Sequence, residues 1–329
     1  MSRAYVFYAV EDAYACSVLI NIRLLMQKFK TRYKIHVLVS QDVSQFYRAK
    51  MMELGAEVTE HEPPSVHPDS KHYYEGCLLK LFAFKMHHID PTLKRVLAMD
   101  GDQMILQDLD HVFDLLSVDV AAPRIYWKDP NESSSMKVTS TFMLIEPSDR
   151  LWNQVKAKIE TISANVFDMD IVNELFEPSA LVLPGSYATL NSQWEDHILP
   201  PWYRGVPSPE PARNYTRLSP EELKAKKKKL TNEAWEHRDV PDYPRWVEMT
   251  TAIGDGLDKF PKGNAADEDL ERVWRQAQVL HFTAVGKPWS WPTETLKLMR
   301  PHAHELLYES WKTWRTDARD LCESLVDKI

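Results

Sequence analysis

The first hundred residues constrain the fold most, because short apolar runs alternate there with segments of helical spacing. Tyr5 to Val10 is β-prone, Tyr14 to Phe29 carries Val18, Ile22, Leu25 and Phe29 at helical intervals, and Ile35 to Val39 is a second strand. Met51 to Leu54 closes another helix before Gly55, and Glu57 to Thr59 reads as a third strand. A β-α-β-α-β order predicts an α/β fold with a mostly parallel, doubly wound sheet, in which ligands bind outside the carboxyl ends of strands. One run fits that position: Arg95-Val96-Leu97-Ala98-Met99 is followed at once by Asp100-Gly101-Asp102. Further along, 138 to 146 reads as a strand closed by Pro147. Ser148 caps a helix through Trp152, Val155 and Ile159, Asp168 opens a helical stretch to Phe176, and Ala180 to Leu183 looks like a buried strand.

Composition narrows the chemistry. The chain has 329 residues, 44% hydrophobic and 27% charged, an ordinary globular balance that excludes disorder or coiled coil throughout. A net charge of −8 gives no basic excess for phosphate backbones, so no nucleic-acid partner is expected. Neither a dinucleotide-binding glycine motif nor a P-loop is present. Cys16, Cys77 and Cys322 are an odd number without a C-x-x-C pair, which argues for free thiols in a reducing compartment. No signal-peptide core and no apolar window of about 18 residues occurs, so no transmembrane segment is expected. A cytoplasmic location follows, with the secretory lumen as the alternative if an anchor has been removed. The triplets at Asn131 and Asn214 matter only in that second case.

The chain organises as a core over 1–199, a Pro- and Lys-rich, loop-rich insertion over 200–270 that supplies little apolar core, and a core-completing segment over 271–329. The insertion reads as a solvated excursion, or as a lid or acceptor-side subregion. The final segment contains strand Val279-Leu280-His281-Phe282 and an amphipathic helix from about His302 to Val326.

Asp-x-Asp at a turn can aim two carboxylates at one hard cation. The pattern occurs four times in the chain, and only Asp100/Asp102 follows a buried-strand pattern. Asp108 and Asp110 precede an apolar helix through Val112, Phe113, Leu115 and Leu116, where carboxylates favour the positive end of the dipole. His281 in its strand is a core histidine unless its surroundings give it more to do. Lys287, six residues on and fixed by Pro288, can supply a cation for a phosphate.

These motifs, with Lys80 in Leu79-Lys80-Leu81, Asp168 to Asn173 and the closing H-F-x(4)-K-P-W, resemble the family-8 retaining glycosyltransferases, the group of glycogenin and galactinol synthase. A fungal α-1,2-N-acetylglucosaminyltransferase-like subgroup shares Ala121-Ala122-Pro123-Arg124-x-Tyr126-Trp127, Glu146-Pro147-Ser148 and Asp168-Met169-Asp170-Ile171-Val172-Asn173. The resemblance implies a GT-A fold, a single Rossmann-like domain that binds a UDP-sugar with Mn²⁺ or Mg²⁺. It implies Asp100, Asp102 and His281 as metal ligands and Lys287, beside Gly286, on the diphosphate. Ala9, Val10 and Tyr14 would face the uracil, Lys80 and Asp168 the sugar hydroxyls, and Asp170 the sugar or acceptor. Arg124, Thr139 and Ser140 occupy positions that touch the donor sugar in relatives. Met169 stands where many bacterial relatives have Gln, which favours front-face displacement over a double displacement. The departures at Arg124 and at Thr139 to Thr141 put N-acetylglucosamine level with glucose as the donor sugar. Glycan, lipid, polyol and protein stay open as acceptors, and a homodimer is left open. Two other readings remain: a Mg²⁺-dependent nucleotidyltransferase or phosphohydrolase, and a catalytically silent UDP-sugar-binding protein.

Overall fold

The computed structural model describes residues 2–70, 76–127, 136–209, 218–236, 256, 257, 259–322 and 325, with side chains of 230–236 excepted. The described chain divides into two compact units, Met1–Thr189 with Ala277–His281, and Leu190–Gln276 with Phe282–Ile329. The glycosylation triplets and the end of the last helix lie outside the described residues.

The first unit is built on a seven-stranded sheet. Its strands are β1 (Ser2–Ala9), β2 (Lys34–Val39), β3 (Glu57–Glu60), β4 (Leu93–Met99), β6 (Val120–Pro123), β7 (Phe142–Ile145) and β8 (Leu181–Leu183), in the order β3-β2-β1-β4-β7-β6-β8. β7 alone runs against the others, antiparallel to both β4 and β6. The parallel ladders set Tyr5 of β1 between Ile35 and Leu97, and Phe7 beside Met99. Both faces are covered, so Val96 to Met99 are all buried, as a continuous apolar run requires. Helices α1 (Asp12–Arg23), α2 (Gln45–Glu53), α3 (Met86–Ile89), α4 (Asp149–Glu160) and α5 (Asp168–Phe176) and a 3₁₀ stretch, Cys77–Lys85, complete the layers. The helical spacing read over Tyr14 to Phe29 is divided in the structure: α1 passes into a π-helical turn, Leu24–Phe29, which Lys30 ends in the left-handed region at φ 55. A separate strand β5 (Gln103–Ile105) pairs antiparallel with β10 (Val279–His281), in the three-stranded sheet that includes β9 (Thr189–Leu190).

The second unit contains α6 (Ser192–Asp196), α7 (Pro220–Glu236), α8 (Asp267–Gln276), α9 (Thr293–Met299) and α10 (Glu305–Leu321). Its core gathers Trp194, Leu270, Val273, Phe282, Leu307, Trp311 and Trp314. The indole N–H groups are satisfied, Trp311 donating to the Trp291 carbonyl at 2.8 Å and Trp194 to the Leu270 carbonyl at 3.2 Å. Trp289 stacks at a tilt on Trp314, 5.5 Å between ring centres.

Several local readings change. The Lys224 to Lys229 run lies on α7, not in a loop. The signal was Ser219-Pro220-Glu221-Glu222: the Glu222 N–H donates to Ser219 Oγ at 3.2 Å and the Ser219 N–H to the Glu222 carboxylate at 2.8 Å, a capping box with proline at the first helical position. No α-helix follows Asp110. A 3₁₀ turn, Asp110–Asp114, stands there, Leu116 is exposed, and Asp110 accepts from the Tyr5 hydroxyl at 2.8 Å and from Thr31 Oγ1. Strand β7 is shorter than 138–146, because Thr139 to Thr141 turn their hydrogen bonds to one another and to the Pro123 carbonyl.

No helix among the described residues is long and apolar enough to cross a membrane. Cys77 is a free thiol, whereas Cys16 and Cys322 are each disulfide-bonded, which corrects the expectation of three free thiols. An odd count guarantees only one unpaired cysteine, and leaves the state of the other two open. In the denatured, unreduced chain, alkylation followed by mass spectrometry should label one cysteine, at Cys77. Labelling of all three would contradict the bonded state.

Candidate active site

The site grows from the end of β4. The Asp100 N–H donates to the Thr141 carbonyl at 3.1 Å, which fixes where β4 stops. The chain turns through Gly101 and Asp102 into β5, and β5 pairs with β10 so that Gln103 lies opposite His281. This ladder brings His281 Nε2 to 3.3 Å from Asp102 Oδ1. One ligating atom from each of Asp100, Asp102 and His281 lies within 4.8 Å of the others. Two ligands held at about 2.2 Å from one ion stand at most about 4.4 Å apart, and the 3.3 Å between His281 Nε2 and Asp102 Oδ1 lies inside that limit. Two carboxylates and an imidazole suit Mn²⁺ or Mg²⁺ by oxygen content, and the imidazole favours the transition ion.

Asn21, on α1, holds the ladder's other edge. Its amide donates to the Gln103 carbonyl at 2.7 Å and its oxygen accepts the Ile105 N–H at 3.0 Å. The side chain thus acts as a one-residue strand against β5, and motif reading passes it over because a buried helical asparagine carries no spacing signal.

Behind Asp100 lies Lys80, only 4% exposed, on the 3₁₀ stretch. Its ammonium stands 2.6 Å from Asp100 Oδ1 and 2.8 Å from Asp168 Oδ2. Ser140 Oγ donates to the same Asp168 oxygen and lies 3.5 Å from the ammonium. Lys80 also sits 5.6 Å from the centre of the Tyr8 ring. Burial opposes a charged lysine, but Asp100 and then Asp168 outweigh it and raise the Lys80 pKa above its ordinary value. Burial also pushes the Asp168 carboxyl up, yet the Lys80 charge, with hydrogen bonds from Lys80, Ser140 and Cys77, leaves it below the usual range. Asp100 goes the other way: burial, reinforced by Asp102 and Asp168, raises it against the pull of Lys80. Burial and the neighbouring acids likewise raise the Tyr8 hydroxyl, and burial the Cys77 thiol. Lys80 faces Asp100 and Asp168, and Asp102 adds a third buried carboxylate next to Asp100, so this edge is rich in acid.

The remaining expected residues fall as follows. Ala9 and Val10 close β1, their carbonyls accepting the Ser40 N–H at 3.0 Å and Ser40 Oγ–H at 2.9 Å. Gly76, at φ +83, packs against Val10 so tightly that a Cβ would stand 2.6 Å from Val10 Cγ1. The Tyr14 ring lies beside Gly101, 3.5 Å from where a Cβ would be. Arg124 bridges Val138, and Asn173 clamps the same Val138 by accepting its N–H and donating to its carbonyl, both at 2.8 Å. Thr139 is buried with its hydroxyl 3.0 Å from that of Thr141, while Ser140 alone of the three reaches Lys80 and Asp168. Asp170 is exposed and accepts the Phe167 N–H at 3.0 Å, closing the first turn of α5. In the second unit, Gly286 holds φ +89, and the Lys287 ammonium donates to the Phe282 carbonyl at 2.7 Å.

The depressed Asp168 carboxyl contributes stability that is fully present above its unfolded value, near 3.9, and is lost as pH falls through its lower folded value. Asp168→Asn should therefore cost about 3–5 kcal/mol at pH 6, by leaving Lys80 less compensated, and the gap to the parent in urea unfolding should narrow towards pH 3. A gap that does not change with pH would contradict the ion pair.

No protein-family model matches the chain. It is 40% identical over 105 residues to glucose N-acetyltransferase 1 of Gibberella zeae, covering 32% of this chain and 22% of that protein. It is 25% identical over 209 residues to glucose N-acetyltransferase 1 of Aspergillus fumigatus, covering 55% and 51% respectively. The chain thus spans about half the length, or less, of these curated relatives. Among solved structures, the bifunctional glycosyltransferase WbbM aligns over 99% of this chain and 51% of its own, at a TM-score of 0.57 and 11% identity. The galactosyltransferase LgtC, solved with donor and acceptor sugar analogues, aligns over 95% of this chain and 99% of its own, at a TM-score of 0.50 and 14% identity. At such identities the likeness is one of fold, and the fold is GT-A. Fungal relatives by sequence, with a fold shared with LgtC and WbbM, bear out the resemblance of this chain to the family-8 glycosyltransferases.

Proposed function

We propose that the chain is a metal-dependent retaining glycosyltransferase that moves a hexosyl group, N-acetylglucosamine or glucose, from a UDP-sugar to an acceptor and releases UDP. The observation that carries this reading is the convergence of Asp100, Asp102 and His281 at a sheet edge that already holds a surplus of negative charge. Those three would hold Mn²⁺ or Mg²⁺, which when bound neutralises the diphosphate of the leaving nucleotide.

The chain's own groups then have defined work. Lys80, kept protonated by Asp100 and Asp168, offers its remaining donor capacity to the sugar, and Asp168, kept ionised by Lys80, accepts from a sugar hydroxyl. Both charges are fixed before substrate arrives, so little reorganisation is needed when charge develops, and losing one such group costs about 3–4 kcal/mol of barrier. Ser140, bonded to Asp168, joins Arg124 and Thr139 as donor-sugar positions, with Asp170 on the sugar or acceptor side. Ala9, Val10 and Tyr14 take the uracil side, and Lys287 with Gly286 the diphosphate. Met169 offers no oxygen or amide nucleophile, which supports a front-face route: the acceptor hydroxyl attacks the anomeric carbon, the bond to UDP breaks on the same face, and the hydroxyl proton goes to the departing phosphate oxygen. Of the two compartments considered, the disulfide-bonded Cys16 and Cys322 support the oxidising lumen.

Calorimetry of UDP with and without Mn²⁺ tests the reading, alongside hydrolysis of UDP-N-acetylglucosamine and UDP-glucose. The parent should bind UDP in a Mn²⁺-dependent way, and Asp102→Asn should lose that dependence and all turnover while unfolding cooperatively. Asp110→Asn, which weakens the bonds from Tyr5 and Thr31, should cost about 1.5–3 kcal/mol of stability and spare turnover. UDP binding indifferent to metal, or equal activity loss at both positions, would sink it.

A further inference from the structure

One group of side chains away from the twin acids has the donor set and spacing of a second metal site. His87 and His88 lie on the single turn of α3, and Asp149 opens α4, where Ser148 caps the helix by accepting the Leu151 N–H at 3.4 Å. His87 Nε2 stands 3.1 Å and His88 Nε2 2.6 Å from the same oxygen, Asp149 Oδ1. Consecutive side chains on a helical turn ordinarily diverge, so two imidazole edges meeting at one carboxylate oxygen is a specific arrangement. The rings are tilted by 57° with centres 4.2 Å apart, and one ligating atom of each of the three residues lies within 4.8 Å of the others. The inner ring nitrogen of His87, Nδ1, is buried without a hydrogen-bond partner among the described residues, which leaves Nε2 as the atom this ring presents.

We propose that His87, His88 and Asp149 bind Zn²⁺, with the fourth coordination position open to solvent. Two imidazole nitrogens and a carboxylate oxygen are donors that zinc takes at about 2.0–2.2 Å, and tetrahedral ligand atoms then stand about 3.3 Å apart. The two nitrogen–oxygen spacings, 3.1 and 2.6 Å, reach that value if the carboxylate withdraws by less than about 1 Å. The donor set also differs from the twin-acid site: two nitrogens against one oxygen ligand favour zinc over the oxygen-seeking ions. The two sites are separate. α3 precedes β4 and α4 follows β7, which runs back along β4, so the cluster lies at the strand end where Leu93 is, whereas Asp100 follows the other end. The length of β4 from Leu93 to Met99 sets them about 20 Å apart.

Zinc chloride titrated calorimetrically into the untagged full chain tests this, with Asp102→Asn as the background so that the twin-acid site does not report. That variant should bind one Zn²⁺, and adding Asp149→Asn or His88→Gln should weaken binding at least tenfold. His88 and Asp149 have side chains 47% and 75% exposed, so these variants should keep the parent's circular dichroism. Absence of binding in the Asp102→Asn background, or equal affinity after the second substitution, would overturn the proposal. Because this readout does not use UDP or turnover, it can fail while the transferase reading stands, and the reverse.

Discussion

A single ammonium, that of Lys80, lies between two buried carboxylates, and the arrangement of the candidate site depends on it. Asp100 follows β4, Asp168 opens α5, and Ser140 precedes β7, so the lysine ties together segments far apart in sequence. Without it, Asp100 and Asp168 would be desolvated at one sheet edge without the ammonium that pairs both, a cost of several kcal/mol per ion. Lys80 holds Asp168 ionised, while burial, with Asp102 and Asp168, raises Asp100 against the same pull. That asymmetry is what a metal-dependent site can use: one carboxylate is committed to the protein, and the other is left in a state that an arriving cation relieves.

The imidazole reaches this edge by a different constraint. Only Ala277–His281 of the late chain belongs to the first unit, and the residues on either side belong to the second. The ladder between β5 and β10 is three residues long, too short to be held firmly by its own hydrogen bonds. Asn21 supplies what the ladder lacks on the opposite edge of β5, satisfying a backbone donor and acceptor that would otherwise be buried unpaired. A helix side chain therefore steadies a strand, and the strand in turn positions the histidine.

The sheet and the twin acids were legible because both depend on local pattern: continuous apolar runs mark strands covered on both faces, and Asp100-Gly101-Asp102 follows such a run directly. His281 entered through the motif that follows it, since a histidine in a strand is ambiguous alone. Asn21, Tyr8 and Cys77 were not legible, because their roles exist only once α1, β1 and the 3₁₀ stretch are packed together. Asp110 misled because carboxylates before apolar residues suit a helix start, whereas here the Tyr5 hydroxyl claims it. Composition alone points to loop for the lysine run on α7, whereas the capping box of Ser219 and Glu222 marks a helix start.

Anomalous diffraction at the manganese edge, from crystals grown with Mn²⁺ and UDP, is the most direct test of the central claim. A peak is expected within about 2.0–2.6 Å of carboxylate oxygens from Asp100 and Asp102 and of an imidazole nitrogen of His281. A peak elsewhere on the protein, with Asp102 and His281 still facing each other and no ion between them, would contradict it.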